Sequence, residues 1–366
     1  MMKVFSRAVL GLAGLGMVLS GCASIGPGAV TRDRFDYTAA VADSWKSQML
    51  LNLVKIRYAD TPVFLDVGQI VAGYSRQATL AASATVPVFN STPPPGIATG
   101  TFGLAGGGSY NDSPTITYAP LSGERFARSL MMPIPPSAIM NVTQGGFSAE
   151  MVFRLAVQSV NGVDNRRVKD MSVQPADPEF YALLQDLRRI QDSGDIGMRT
   201  RPGDREVQLE LVLRPKPAAA VENARINVAK ILGLDQSGRV FRLVYGTVPS
   251  DDKEIAIVTR SIYEILRDLS SNIAVPEAHV TGRRVSPTPE ADLGPEGPIP
   301  PLIRITSSSD RPTSAFVAVP YRGYWFSIDD QDIQSKRLFS FIMFLFTFVE
   351  TGSKEAAPVL TIPTTR

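Results

Sequence analysis

Apolar positions follow three rhythms along the chain. From Ala8 to Leu19 they run almost unbroken. From Phe35 to Tyr58 they recur every three or four residues, through Val41, Trp45, Met49, Leu53 and Ile56. That spacing predicts a helix with one apolar stripe, with Trp45 packed in it and Lys46, Asn52 and Lys55 off it. From Ala78 to Val88 they alternate, Ala78, Leu80, Ala82, Ala84, Val86 and Val88 against Thr79, Ser83 and Thr85. Period two predicts a half-buried strand. Thr101–Tyr110 alternates again, with Phe102, Leu104 and Tyr110 on one side, and Val63–Tyr74 and Ser113–Tyr118 also read as strands. Phe89–Gly100, rich in Pro, Gly, Ser and Thr, is the turn between them. No charged residue occurs from Gln77 to Tyr110. The stretch 62–118 is expected to form one long Gly/Thr/Ala-rich β-hairpin.

The remaining chain mixes both periods. Leu121–Met132 predicts a helix broken by Pro133, Pro135 and Pro136, and Ser137–Val142 a short helical turn. Ala149–Asn161 is apolar nearly all round, which predicts a buried helix from Ser148 to Gly162, with Arg154 in need of a partner. Asp177-Pro178 opens a helix through Phe180, Leu183, Leu184, Leu187 and Ile190 that Gly194 ends. Strands are expected at Val207–Leu213 and Phe241–Tyr245, with a helix opened by Pro217 between them. Asp251 and Glu254 resemble a capping box ahead of a helix through Ile255, Val258, Ile262, Ile265, Leu266 and Leu269. Val285–Pro301 reads as an exposed Pro/Gly-rich loop. Leu302–Ser307 should pair with Ser314–Ser327 across a turn at Asp310–Pro312. Gln331–Glu350 is an apolar helix bordered by Lys336, Arg337 and Glu350, too short in its apolar run for a span and better suited to a core. Val359–Ile362 adds an edge strand. The expected fold is α+β, a mixed sheet packed with helices plus the hairpin. Its divisions are 1–21, a leader; 22–34, a tether; 35–195, a helical region carrying the hairpin; and 196–366, an α/β region.

The first apolar run changes the picture most. Lys3 and Arg7 precede it, and Leu19-Ser20-Gly21-Cys22 ends it. This layout fits a secretory signal, and the last four residues resemble a bacterial lipobox. The resemblance implies cleavage between Gly21 and Cys22, and a diacylglycerol and an N-acyl chain on Cys22. Ala23 and Ser24, in place of an Asp after the cysteine, favour the outer membrane, with the body facing the periplasm. Cys22 is the one cysteine, so an intramolecular disulfide is excluded. The net charge of +2 equals the contribution of Lys3 and Arg7. The remaining chain is neutral, which argues against nucleic acid as a partner. Thr259-Arg260-Ser261 through Val275-Pro276-Glu277, and Val319 through Asp330, resemble predicted bacterial lipoproteins of unassigned function.

Catalytic patterns are sparse. His279 is the one histidine and has no cysteine or second histidine to share a metal. Gly106-Gly107-Gly108 lacks the Lys-Ser/Thr of a phosphate loop. Asp329, Asp330 and Asp332 beside Trp325 could hydrolyse a glycan, with the ring stacking on a sugar. The same carboxylates could simply cap the final helix. The expected function is a non-catalytic structural or interaction component of an envelope assembly, without cofactor beyond the lipid on Cys22. Its expected partners are membrane lipid, an envelope protein and further copies of itself. One alternative is a subunit of an oligomeric export channel that inserts the hairpin through Leu80, Val86, Phe102 and Leu104; the other is the glycan hydrolase.

Overall fold

The computed structural model describes residues 27–71, 74–85, 101–112, 115–169, 172–194, 196–202, 207–214, 219–350 and 360–363. Gly21, Cys22 and Val86 lie outside the described residues. In chain order the first elements are α1 (Pro27–Arg57), β1 (Phe64–Val71), β2 (Tyr74–Thr85), β3 (Thr101–Asp112), β4 (Thr115–Leu121), α2 (Glu124–Met131), α3 (Pro136–Gln144) and α4 (Ala149–Ala156). Next come β5 (Val157–Val160), β6 (Val163–Asp164), β7 (Arg167–Lys169), β8 (Ser172–Gln174), α5 (Pro178–Ser193), β9 (Ile196–Pro202), β10 (Val207–Leu213), α6 (Ala219–Leu232), β11 (Val240–Tyr245) and β12 (Glu254–Thr259). The last are α7 (Ile262–Ser271), α8 (Glu277–Thr281), β13 (Leu293–Gly294), β14 (Gly297–Pro298), β15 (Thr306–Ser308), β16 (Ala315–Tyr321), β17 (Tyr324–Asp329), α9 (Ile333–Glu350) and β18 (Leu360–Pro363). The fold is α+β. It divides into two units, Met1–Phe64 with Ser122–Ser353, and Leu65–Leu121 with Lys354–Arg366.

The larger unit is built on a mixed sheet in the order β6-β5-β12-β11-β10-β9. Only β11 and β12 run parallel; the other neighbours are antiparallel. Helices α5 and α6 pack against each other, with Ile190, Val221 and Ala224 buried together beside Leu213 and Val228. Helix α1 begins at Pro27, inside the stretch expected as a tether. Proline suits a first helical turn, where its missing N–H would be unpaired in any case. Met49, Leu50, Leu53 and Val54 bury the C-terminal part of that helix, and Trp45 is half-buried one turn earlier. Asn52, placed off the stripe by its polarity, is instead 1 % exposed. Its Nδ2 donates to the Val63 carbonyl at 2.8 Å and its Oδ1 accepts the Val63 N–H at 2.9 Å. A buried amide is tolerable because both of its ends are satisfied.

Three expected elements are divided differently. The helix from Ala149 stops at Ala156, and Val157–Val160 enters the sheet as β5. Val157 and Val160 are β-branched and suit a strand. Asn161 (φ 47°) and Gly162 (φ 84°) then form the two-residue turn between Val160 and Val163. Gly162 thus closes a hairpin and not a helix, since type I′ turns need positive φ at both central residues. The helix expected from Ile255 splits into β12 and α7. Ile255, Ala256 and Ile257 are buried in succession within the sheet, a run whose period cannot distinguish strand from helix. The capping box lies at Ser261 and Glu264: the Glu264 N–H donates to Ser261 Oγ, and the Ser261 N–H to Glu264 Oε2 at 2.8 Å. Finally, Ser314–Ser327 folds on itself. Arg322 (φ 48°) and Gly323 (φ 86°) join β16 to β17, and β15 pairs with β17, Thr306 opposite Ser327. Strand order there is β15-β17-β16.

The 285–301 loop is not wholly exposed; Asp292 in it is buried, and β13 and β14 pair as a small hairpin. Helix α9 buries Leu338, Phe339, Phe341, Ile342, Leu345 and Phe346. Among the described residues no helix is long and apolar enough to cross a membrane.

The smaller unit holds a three-stranded sheet, β1-β4-β18, and a separate two-stranded ribbon, β2-β3. The strand expected over Val63–Tyr74 is thereby shared between β1 and the start of β2. At one edge of the sheet β18 pairs antiparallel with β4, from Leu360 opposite Tyr118 to Pro363 opposite Thr115.

Candidate functional site

The ribbon is the site with the most unusual construction. Strands β2 and β3 pair without a bulge from Tyr74 opposite Asp112 to Thr85 opposite Thr101. Cross-strand partners share a face of a sheet. The register therefore places Ala78 with Gly108, Leu80 with Gly106, Ala82 with Leu104 and Ala84 with Phe102 on one face. The other face carries Gln77 with Ser109, Thr79 with Gly107, Ala81 with Ala105 and Ser83 with Gly103. Ser83, Gly107 and Ser109 on that second face are exposed. Leu80, Phe102 and Leu104 thus fall on one face. Each arm is 12 residues long, and among the described strands neither pairs with a third. Arg76 opposite Tyr110, and Asp112 opposite Tyr74, border the uncharged stretch at one end.

The acidic corner is organised as a helix start. Asp332, immediately before α9, accepts the Ser335 N–H on Oδ1 at 3.0 Å and the Ser335 hydroxyl on Oδ2 at 2.7 Å. The backbone N–H of Ser335 leads the interactions that hold its carboxyl below the usual carboxylate range. Asp329 Oδ1 accepts the Gln331 N–H at 2.8 Å, and Asp330 pairs with Lys336 Nζ at 2.6 Å. The half-buried Trp325 ring has the Arg311 guanidinium 5.3 Å from its centroid. A general acid needs a raised carboxyl; the shift at Asp332 is the opposite. Because the Asp332 carboxyl is lowered on folding, its contribution is present above the unfolded carboxylate pKa and lost as pH falls through the folded one. Asp332→Ala is expected to cost about 1 kcal/mol, as for other helix caps. Denaturant titrations on both proteins should show the difference shrinking as the pH is taken below the ordinary carboxylate range.

His279, on α8, is 4 % exposed. Its Nδ1 lies 2.7 Å from the Tyr58 hydroxyl, and the rings of Tyr58 and Tyr324 meet it edge-on. Burial pushes its pKa down, and Arg284 and Arg322 add to the shift. Among the described residues no group of three His, Cys, Asp or Glu is placed to hold a metal.

A buried ionic cluster was not anticipated as a unit. Arg260, 2 % exposed, donates to Asp268 Oδ2 at 3.2 Å, to the carbonyls of Arg154 and Leu155 at 3.3 Å, and to the Arg166 carbonyl. Arg166 lies 3.4 Å from Asp268 and 3.5 Å from Asp292, and donates to Asn272 Oδ1 at 3.0 Å. The Tyr181 hydroxyl donates to Asp292 Oδ2 at 2.7 Å, and burial together with that bond raises its pKa. Arg154 finds its partner in the Pro300 carbonyl at 2.8 Å. A cavity of about 110 Å³ borders these groups. The cluster fastens the 285–301 loop and α7 to the turn after β6. The available signal was Asp268 within the apolar repeat of α7, eight residues after Arg260.

A larger, apolar groove of about 340 Å³ runs between the α2–α3 connection, α4 and α9, bounded by Met132, Pro133, Ile139, Ile262 and Phe341. No protein family, curated protein or solved structure matches this chain.

Proposed function

We propose that this chain is a lipid-anchored, non-catalytic component of a cell-envelope assembly, joined to it through the β2–β3 ribbon. The observation that carries the reading is the ribbon itself: two 12-residue arms in a sheet of their own. A two-stranded hairpin is marginal in water, and this one offers an apolar face that is without charge from Ala78 to Ala84. A partner that covers that face and extends the sheet would supply the missing stabilisation. The lipobox resemblance at Cys22 supports an outer-membrane anchor, with the body in the periplasm. At the Asp329–Asp332 corner every carboxylate is already engaged in beginning α9, which lends hydrolysis no support.

A photo-crosslinking amino acid at Leu80, introduced in cells, is expected to capture a defined species. The same probe at Val248, which is 77 % exposed on the larger unit, serves as the control. Equal, diffuse capture at both positions would remove the ribbon as the assembly element. Mass spectrometry of the mature amino end should find acylated Cys22; an unmodified cysteine would remove the anchor.

A further inference from the structure

The ribbon narrows its own surroundings further, given the reading of it as the assembly element. We infer that β2–β3 spans a lipid bilayer, and that its neighbours along both edges are the same hairpin from other copies of this chain, closing a barrel. The length fits. The nine uncharged pairs from Gln77 with Ser109 to Thr85 with Thr101, at about 3.4 Å each, reach about 30 Å, or about 23 Å of height at a typical barrel tilt, close to an apolar band of about 25 Å. The faces fit as well. Spanning strands alternate apolar toward lipid and polar toward the lumen. The register separates Ala78, Leu80, Ala82, Ala84, Phe102 and Leu104 from Gln77, Thr79, Ser83, Thr101 and Ser109 in that way. A protein partner on a single face would not require the opposite face to be uncharged. Here both faces lack charge from Gln77 to Tyr110, and Arg76 and Asp112 stand at one end. Tyr74 and Tyr110 share the Leu80 face near that end with Arg76 and Asp112, which places that end at the headgroups, and Phe102 lies toward the other, where interfacial aromatics belong.

Closure follows from the solvent. Hydrocarbon offers nothing to an unpaired backbone group, so spanning sheets close on themselves. Among the described residues this chain contributes two strands to the ribbon sheet. Setting β3 of one copy beside β2 of the next continues the antiparallel order, a head-to-tail contact that rotation can close into a ring. Eight strands, about the smallest barrel, would take about four copies; a water-filled channel of about 16–18 strands would take eight or nine. The lumen would be lined by Thr, Ser, Gln and Gly.

The test uses the full, lipidated chain in detergent and in liposomes of phosphatidylethanolamine and phosphatidylglycerol. Single cysteines at positions 78 to 84 are labelled with a membrane-impermeant maleimide, with the unsubstituted protein as blank for Cys22. Thr79→Cys, Ala81→Cys and Ser83→Cys are expected to react at least tenfold faster than Ala78→Cys, Leu80→Cys, Ala82→Cys and Ala84→Cys. The mass in detergent should be that of a ring of four or more copies. Reaction without a period of two, or a monomer, overturns the inference, provided circular dichroism shows each variant folded as the parent. If the probe at Leu80 captures a different envelope protein and the labelling shows no period, the assembly reading survives and the barrel does not. If the probe captures nothing and the labelling shows no period of two, both fall.

Discussion

Asp268→Ala is expected to destabilise the larger unit by about 3–5 kcal/mol, because removing one member of a buried ion pair leaves the other charge without compensation. Two guanidiniums depend on this carboxylate. Arg260 is 2 % exposed and bonds to it at 3.2 Å, and Arg166 lies 3.4 Å away. At about 2 °C per kcal/mol for a unit of this size, the midpoint of thermal unfolding should fall by about 6–10 °C. The double replacement Arg260→Met with Asp268→Leu should recover part of that loss, since it removes the Arg260 charge along with its partner while Arg166 retains Asp292 alone. Thermal melts of the three proteins decide the matter. A single variant as stable as the parent would mean that the cluster is solvated and that the 285–301 loop is held by other contacts.

Leu80→Arg is expected to abolish bilayer conductance while leaving the melting temperature of the larger unit unchanged. A cation on the lipid face near the midplane of a barrel costs about 2–4 kcal/mol, and a ring multiplies that by its number of copies. Thr79→Arg, one residue away on the other face of the ribbon, should still insert and should shift the channel toward anions. Planar-bilayer recordings with the two variants side by side read this directly. Loss of conductance in both, or in neither, would separate the face assignment from the rest of the proposal.

The ribbon was legible in the sequence because its signal is local: period two, small residues and an absence of charge. Its register was not: the pairing from Tyr74 with Asp112 to Thr85 with Thr101 comes from the structure. The α+β class was legible too, from segments whose period was clean, such as Phe180–Ile190 and Val207–Leu213. What the sequence hid was the passage from helix to strand within one apolar run. Val157–Val160 and Ile255–Ile257 are buried with few polar positions between them, so neither period shows. Turn chemistry was the neglected cue. Asn161-Gly162 is a strong hairpin signal in its own right, and treating that glycine as a helix stop concealed β5 and β6. The ionic cluster was illegible for another reason. Arg260 and Asp268 are neighbours in sequence, but Arg166 and Asp292 come from two distant segments that only tertiary packing brings to them.

The strand Leu360–Pro363 completes the sheet begun by β1 and β4. A ribosome delivers it long after both of those partners. The sheet of the smaller unit therefore closes through a pairing far apart in sequence, the kind that loop-closure entropy makes slow to form.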